Sequence, residues 1–338
     1  MDLARLGSRL LTIETHWGSD LAVRSVEDCT LLRALSRTLK IPSEKEILGD
    51  DSYLSPKRRE KRMSVVPGIE LNSGARIPQL GFGVFQVDPA ETKRVVLDAL
   101  EVGYRHIDTA AGYANETAVG EAIAESGISR SDLFITTKQR PADQANALSG
   151  DAIKSSLDKL GLSFVDLYLI HWPTPARGMY VESWHALERF TEQGLTRSIG
   201  VSNFLPEHLD RIASESATIP AVNQIEIHPQ LQQRDVEERC LRAGIRVEAW
   251  SPIARGALVD TPQVDAIAAK YGKTIAQVTL RWHLEHGRII IPRTVHKARM
   301  VENFALFDFA LDPHEVAVLD ALEAGKRVGP DPATMNNI

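Results

Sequence analysis

The sequence predicts an α/β protein: a (β/α)8 TIM barrel with an N-terminal β-hairpin cap, preceded by an N-terminal extension. From Gly68 onward, short strand-like runs alternate with segments of helical periodicity, and eight such pairs follow one another. The residues from Met63 to the end are enough for one barrel, which takes roughly 250 residues. The strand-like runs are apolar and rich in β-branched residues, which is typical of a parallel sheet buried on both faces.

The elements begin with the hairpin. "GIEL" and "RIPQL" flank "NSGA", in which Asn72 and Gly74 suit a tight turn. The first predicted helix has Pro89 near its start and Gly103 just past its end, and two later helices also close on glycine. The eight strand-like runs are, in chain order, "GFGVF", "YRHIDT", "LFITTK", "VDLYLIH", "RSIGVS", "AVNQIEI", "RVEAWSP" and "RIIIPR".

A doubly wound sheet is the structural alternative. Such a sheet normally carries a Gly-rich phosphate-binding loop after its first strand, with an acidic residue about twenty positions later. "GFGVFQ" lacks the third glycine of that loop, and no acidic residue ends a strand at that distance. The sequence therefore favours the barrel.

Residues 1–62 differ in composition from the rest of the chain. They hold 12 Lys and Arg against 10 Asp and Glu, whereas the whole chain has a net charge of −6. The basic run 57–62 could serve localisation or anion binding, but an exposed linker is the favoured interpretation. We expect a disordered or loosely structured, dispensable extension over residues 1–62 and the barrel domain over residues 63–338, with Met63 as an alternative start.

Composition narrows the class of protein. A net charge of −6 gives no support to nucleic-acid binding, and two cysteines cannot form a disulfide framework. The chain has no run of eighteen apolar residues and no signal peptide, so we expect no membrane association. The expectation is a cytoplasmic, monomeric protein.

Titratable side chains stand at three predicted strand ends. Asp108, Lys138 and His171 end successive runs, and Tyr113 lies in the loop after Asp108. Each has an ordinary structural alternative, as a helix cap, a solvated terminus or a core histidine. Because strand C-termini share one face of a barrel, the set instead favours an active site. Lys138 would lower the pKa of Tyr113 and Asp108 would orient Lys138, which suits protonation of an oxygen as a carbonyl is reduced.

The second half of the barrel carries groups suited to a cofactor. Ser202, Asn203 and Gln224 could fix a carboxamide, and Trp250 could stack on a flat heterocycle. Arg293, Thr294 and Arg299 cluster beside a predicted helix start, which suits a phosphate monoester. The spacing of His and carboxylate residues predicts no metal site.

Seven longer segments follow one another in the order "GYRHIDTAAGYANE", "LFITTK", "VDLYLIHWP", "SIGVSNF", "NQIEIHP", "AWSPIARG" and "IPRTVHKARMVENF". With these segments, the chain resembles the aldo-keto reductase family from Gly68 to about Pro330. The resemblance is closest to the bacterial 2,5-diketo-D-gluconate reductase-like members, because "AWSP" has tryptophan where many members have tyrosine and the C-terminal tail is short.

The resemblance implies a function and a set of residues. It implies NADPH-dependent reduction of a small-molecule carbonyl, with Tyr113 as the general acid of a tetrad completed by Asp108, Lys138 and His171. It places Trp250 on the nicotinamide and Ser202, Asn203 and Gln224 at its carboxamide. The remaining cofactor contacts that it implies are Ser251, Ile253 and Gly256 at the pyrophosphate, Arg293, Thr294 and Arg299 at the 2′-phosphate, and Glu302 and Asn303 at the adenine. The implied substrate pocket comprises Phe85, Tyr113, His171 and Trp172.

Two departures from the family pattern concern the pocket. Gln139 stands where an aromatic or apolar residue is common, and Gly112 stands where a bulkier residue is frequent, so either could reshape the site.

Possible substrates are dicarbonyls, methylglyoxal-like aldehydes and keto sugars such as 2,5-diketo-D-gluconate. The alternatives are a non-catalytic NADPH-binding regulatory barrel and a Schiff-base lyase or aldolase that uses Lys138.

Overall fold

The computed structural model of the protein describes residues 66–258 and 261–337. The predicted extension and its boundary at Met63 lie outside the described residues and stay predictions. No helix in the described part of the chain is long and apolar enough to cross a membrane.

The predicted hairpin is present and closes one end of the barrel. Strands β1 (Gly68–Glu70) and β2 (Arg76–Pro78) pair antiparallel, with Ile69 opposite Ile77. Ile77 is fully buried and packs in a small apolar cluster with residues from the barrel strands, among them Leu167 and Val222. The hairpin therefore plugs the interior at the N-terminal end of the strands.

The predicted (β/α)8 barrel is confirmed. All eight strands are parallel and their spatial order follows chain order without a reversal, unlike a doubly wound sheet. They are β3 (Phe82–Gly83), β4 (His106–Asp108), β5 (Phe134–Gln139), β6 (Val165–Ile170), β7 (Thr196–Ser202), β8 (Val222–Glu226), β9 (Arg246–Trp250) and β10 (Ile289–Ile290).

Backbone contacts join the first barrel strand to the last. A parallel bridge pairs Leu80 with Ile290. The Gly81 amide donates to the Ile290 carbonyl at 2.8 Å, and the Ile290 amide donates to the Gln79 carbonyl at 2.9 Å. The sheet is thus closed, and its edge strands are paired with each other.

Helices form the outer layer. The first helix is capped as its sequence predicts: Asp88 accepts from the Ala90 amide at 2.9 Å, Pro89 opens the helix and Gly103 follows it with φ of 126°. The helices are α1 (Pro89–Val102), α2 (Glu116–Glu125), α3 (Asn146–Leu160), α4 (Tyr180–Glu192), α5 (Pro206–Glu215), α6 (Arg234–Arg242), α7 (Pro262–Tyr271), α8 (Ile275–Glu285), α9 (Lys297–Phe304) and α10 (Pro313–Asp320).

Two apolar regions hold the layers together. The larger core lies between strands and helices and includes Val95 of α1, Trp184 of α4 and Trp282 of α8. The smaller cluster lies inside the barrel near the hairpin. At the opposite, C-terminal end the interior is polar, and Lys138 is buried there with no exposed surface. A polar interior at this end locates the candidate site.

Candidate active site

An ion pair spans two neighbouring strands at the C-terminal end of the barrel. Asp108 ends β4 and Lys138 lies near the end of β5, and both are buried. The Lys138 Nζ lies 2.6 Å from Asp108 Oδ1 and 2.9 Å from the Thr109 carbonyl oxygen. A buried ammonium needs such acceptors, because leaving it unpaired would be strongly unfavourable.

Tyr113 reaches the same ammonium from the following loop. It ends a single 3-10 turn, Ala111–Tyr113, and its side chain is half-buried. Its hydroxyl lies 3.4 Å from Lys138 Nζ. The Tyr113 ring also packs against Phe85 and His171, with centroid distances of 5.0 Å and 5.5 Å. The structure therefore brings the four residues of the predicted tetrad together, with Phe85 beside them.

The pKa of Tyr113 shifts in the direction opposite to the one expected from the sequence. Burial raises the pKa of Tyr113, and the Lys138 charge offsets only part of that rise, so the net shift is upward rather than downward. Burial alone would lower the pKa of Lys138, but Asp108 and Tyr113 outweigh it and raise that pKa. At neutral pH the tyrosine therefore keeps its proton and the lysine its charge.

His171 faces this group from the end of β6. Its backbone amide donates to the Gln139 carbonyl at 3.2 Å, which fixes the start of the loop. Burial and the nearby Lys138 charge hold the pKa of His171 well below its usual range. The imidazole is therefore neutral and has one donor and one acceptor nitrogen. Trp172 follows, with its ring 6.4 Å from that of His171.

Gln224 and Glu248 extend the polar group across the barrel. The Gln224 Nε2 lies 2.8 Å from Asp108 Oδ2 and 2.8 Å from Glu248 Oε2. Glu248 was not among the residues predicted for the site. The available signal was a charged residue between the apolar residues Val247 and Ala249.

The residues predicted to hold a carboxamide are linked to one another. The Asn203 Nδ2 donates to the His171 carbonyl at 3.0 Å, and its Oδ1 accepts from Trp250 Nε1 at 2.9 Å. The Ser202 hydroxyl donates to the Gln224 carbonyl at 2.8 Å. Asn203 has φ of 65°, a left-handed conformation that asparagine adopts more readily than most residues.

The C-terminal segment lies against Trp250. The backbone amides of Val328 and Gly329 donate to the Glu226 carboxylate at the end of β8, at 2.5 Å and 3.1 Å. A Cβ at position 329 would lie 2.4 Å from the Trp250 ring atom Cη2, so glycine permits the close approach. This contact fixes one edge of the indole.

The predicted phosphate-binding residues lie at the start of α9. Arg293 and Arg299 are exposed, and Thr294 is buried and accepts from the His296 amide at 3.2 Å. The Arg293 guanidinium donates to the Gln86 carbonyl, which joins this segment to the loop after β3. The two arginines present charge to solvent beside a helix N-terminus, which fits an anion.

The other predicted cofactor residues differ in their surroundings. Ser251 and Gly256 have positive φ of 48° and 89° in the loop after β9, and Ile253 packs partly buried there. Asn303 is buried. The Glu302 carboxylate accepts from the Thr274 hydroxyl at 2.7 Å at the start of α8.

The two residues that depart from the family pattern, Gln139 and Gly112, lie away from the barrel interior. Gln139 is fully buried, and its Nε2 donates to the Ser149 hydroxyl at 2.7 Å and to the Asp143 carbonyl at 3.0 Å. It therefore holds α3 against β5 rather than forming a wall beside Lys138. A Cβ at Gly112 would lie 3.6 Å from Arg140 Cγ, an ordinary contact.

The arrangement can protonate an oxygen at the barrel mouth. A tyrosine hydroxyl in contact with a buried ammonium, with a neutral imidazole beside it, is suited to giving a proton and to stabilising the phenolate that is left. Among the described residues, no group of three or more His, Cys, Asp or Glu is placed to hold a metal ion.

Known proteins are similar to this chain in both sequence and fold. An aldo-keto reductase of Mycolicibacterium smegmatis is 47% identical over 270 residues, covering 80% of this chain and 98% of that protein. Methylglyoxal reductase DkgA of Yersinia pestis is 48% identical over 272 residues, with coverage of 80% and 98%. The crystal structure of a Bombyx mori aldo-keto reductase in complex with NADP matches with a TM-score of 0.74 and 38% identity, over 78% of this chain and 95% of that one.

A family model gives the same result independently. The model described as "Aldo/keto reductase family" matches residues 79–324, which include all eight barrel strands. The match covers every residue of the predicted tetrad. The chain therefore belongs to the aldo/keto reductase family, whose members are oxidoreductases that act on carbonyl and alcohol groups.

Proposed function

We propose that this protein reduces aldehydes or ketones to alcohols with NADPH, and that Tyr113 is the general acid. The observation that carries the proposal is the position of Lys138 Nζ, 2.6 Å from Asp108 Oδ1 and 3.4 Å from the Tyr113 hydroxyl. The Lys138 charge offsets part of the rise that burial causes in the pKa of Tyr113, and it would stabilise the phenolate left when the proton passes to a substrate oxygen on which negative charge develops.

The carbonyl oxygen of the substrate would lie between Tyr113 and His171. Neutral His171 donates a hydrogen bond that orients the oxygen, and Tyr113 transfers its proton as negative charge develops there. Lys138 then stabilises the phenolate, while Asp108 keeps the ammonium charged and in place. Phe85 and Trp172 would form apolar walls of the pocket, since their rings adjoin Tyr113 and His171.

The residues at the barrel mouth fit an extended NADPH molecule. Trp250 would stack on the nicotinamide, with Ser202, Asn203 and Gln224 at its carboxamide, and the exposed Arg293 and Arg299 would bind the 2′-phosphate. Bound NADPH would supply the hydride for the carbonyl carbon. NADP in the related Bombyx mori structure supports this choice of cofactor.

The substrate class is a small carbonyl compound. Methylglyoxal-like aldehydes and other dicarbonyls come first, because the Yersinia pestis relative is a methylglyoxal reductase. Keto sugars such as 2,5-diketo-D-gluconate are the next candidates. A monomeric, cytoplasmic enzyme without nucleic-acid or membrane partners completes the proposal.

NADPH oxidation against a panel of these carbonyls tests the proposal, with NADH in parallel. We expect turnover with NADPH and a kcat/KM about tenfold or more lower with NADH, because a charge-assisted hydrogen bond to the 2′-phosphate contributes about 1.5 kcal/mol. Arg299→Gln should reduce that preference, whereas Arg94→Gln, a change at an exposed arginine on α1, should not.

Two outcomes would favour the alternatives. NADPH binding without reduction of any carbonyl would indicate a non-catalytic regulatory barrel. Borohydride trapping of a substrate on Lys138 would indicate a Schiff-base enzyme. The raised pKa of Lys138 argues against the second, because a Schiff base forms from the neutral amine.

A further inference from the structure

Glu248 is a buried carboxyl group inside the barrel that the proposed mechanism does not use. It lies in the middle of β9, opposite Gln224 of β8 and Ile289 of β10, and has no exposed surface. Its Oε1 lies 3.7 Å from His106 Nε2, and among the described residues no hydrogen bond reaches this oxygen. An ionised carboxylate would therefore be poorly solvated there.

Gln224 connects Glu248 to the ion pair. A side-chain amide nitrogen has two N–H donors, and those of Gln224 are both used, one on Asp108 Oδ2 and one on Glu248 Oε2. The other Asp108 oxygen binds Lys138. The buried chain therefore runs Lys138–Asp108–Gln224–Glu248, from β5 through β4 and β8 to β9.

Among the described residues, the charged and titratable groups that face Glu248 are Asp108 and His106 on β4, Lys138 on β5 and Tyr113 in the loop after β4. Among them, Lys138 supplies one positive charge for two carboxyl groups. Burial, together with the Asp108 charge, raises the pKa of Glu248 to about 8. Burial and Lys138 lower the pKa of His106 to about 3, so His106 stays neutral. At neutral pH Glu248 thus carries its proton.

We propose that Glu248 is a positioning residue for carbonyl reduction: through Gln224 it holds Asp108 against Lys138, and loss of its proton weakens Tyr113 as an acid. The inference rests on the proposed function, because it concerns the acid assigned there. When Glu248 ionises, a second buried negative charge opposes formation of the Tyr113 phenolate. The same negative charge also offsets part of the positive potential with which the Lys138 ammonium would stabilise that phenolate.

The pH profile of Glu248→Gln tests the effect on the acid. If ionisation of Glu248 raises the pKa of Tyr113 by about one unit, wild-type kcat should fall about threefold between pH 7 and pH 9, for a Brønsted coefficient near one half. Glu248→Gln is neutral at every pH and keeps an acceptor for Gln224, so its kcat should change little over that range. Glu315→Gln is the matched control, since Glu315 lies on α10 and is bound by Lys270 and Tyr271. If kcat of Glu248→Gln fell between pH 7 and pH 9 as much as kcat of the wild type, the proposal would be overturned.

A second pair of measurements does not depend on activity. Infrared difference spectra should show a protonated carboxyl band that disappears near pH 8 in the wild type and is absent from Glu248→Gln. Because the folded protein binds this proton between the ordinary pKa of 4.5 and about 8, wild-type stability should fall with rising pH in that window. The Tm of Glu248→Gln should therefore gain on the wild type from pH 5 to pH 8 and then level off.

The two sets of results separate this inference from the proposed function. An absent carboxyl band, or a Tm difference that does not change with pH, would overturn the buried proton even if carbonyls are reduced. If no carbonyl is reduced, the proposed function fails and with it the effect on Tyr113, while the band and the Tm still decide whether Glu248 holds a proton. Glu315→Gln should keep the carboxyl band, and its Tm difference from the wild type should not change between pH 5 and pH 8, because the pKa of Glu315 is lowered.

Discussion

At the residue scale, the centre of the site is one ammonium group with three oxygen neighbours. Lys138 Nζ contacts Asp108, the Thr109 carbonyl and Tyr113. Asp108 supplies the negative charge that balances the ammonium, and Tyr113 is the only one of the three with a proton to give. The counter-charge and the proton proposed for transfer therefore belong to different neighbours, and substitutions can separate them.

Tyr113→Phe should abolish the reaction while preserving the site. It removes the hydroxyl but keeps the ring that packs on Phe85 and His171. We expect kcat to fall about 100-fold or more, with NADPH affinity by fluorescence titration nearly unchanged. A variant that kept most of its kcat would show that another group donates the proton.

Asp108→Asn should destabilise the fold because it leaves a buried ammonium without its counter-charge. Loss of one partner of a buried pair typically costs about 3–5 kcal/mol of unfolding free energy, which urea denaturation would measure. The double variant Asp108→Asn, Lys138→Met has no buried charge at this position and should lose less than the single variant. Equal losses in the two would contradict a stabilising role for the pair.

The sequence predicted the tetrad because each residue ends a strand or follows one. Asp108, Lys138 and His171 stand at the C-terminal ends of β4, β5 and β6, and the barrel brings such ends together. Glu248 lies mid-strand, where alternation in a buried strand does not reveal which face a polar residue takes. The upward shift in the pKa of Tyr113 was also missed, because burial, which outweighs the Lys138 charge, is a property of the folded chain.

At the element scale, strand identity was easier to predict than strand length. All eight runs form strands, but "GFGVF" contributes only Phe82–Gly83 and "RIIIPR" only Ile289–Ile290. These two strands meet at the barrel closure, where Gly83 already bonds to the Pro292 carbonyl outside regular pairing. Sequence patterns report burial, whereas strand ends depend on the register of a distant partner.

The C-terminal segment provides a test at this scale. Gly329→Ala would place a Cβ 2.4 Å from the Trp250 ring, so either the segment or the indole must move. We expect a changed tryptophan fluorescence spectrum and weaker NADPH binding, since Trp250 is the proposed nicotinamide contact. Gly112→Ala is the control: its Cβ meets Arg140 at 3.6 Å, and it should be tolerated or add about 0.4–1 kcal/mol of stability. Unaltered NADPH affinity in Gly329→Ala would show that the segment does not set the indole position.

At the scale of the whole molecule, the region matched by relatives is the barrel. The family model covers residues 79–324, and curated relatives align over 80% of this chain but 97–98% of their own length in the first five. The relatives' near-complete coverage indicates that the barrel alone makes up their chains.

A chain that starts at Met63 should therefore keep the properties of the 338-residue chain. We expect the same Tm, NADPH affinity and kcat within a factor of about two, because curated relatives align over 98% of their own length with only 80% of this chain. Calorimetry and the NADPH oxidation assay would compare the two chains. A markedly lower Tm in the shorter chain would assign a structural role to residues 1–62.

The closure between Leu80 and Ile290 has a consequence for synthesis of the protein. Leu80 lies just before the first barrel strand and Ile290 lies in the last, so the closing bonds cannot form until nearly the whole barrel has left the ribosome. Until then, the growing sheet has an open edge at β3 and another at its newest strand, and unpaired edges promote aggregation. Contacts between such distant parts of a chain also slow folding. Chaperone demand should therefore be greatest just before β10 emerges.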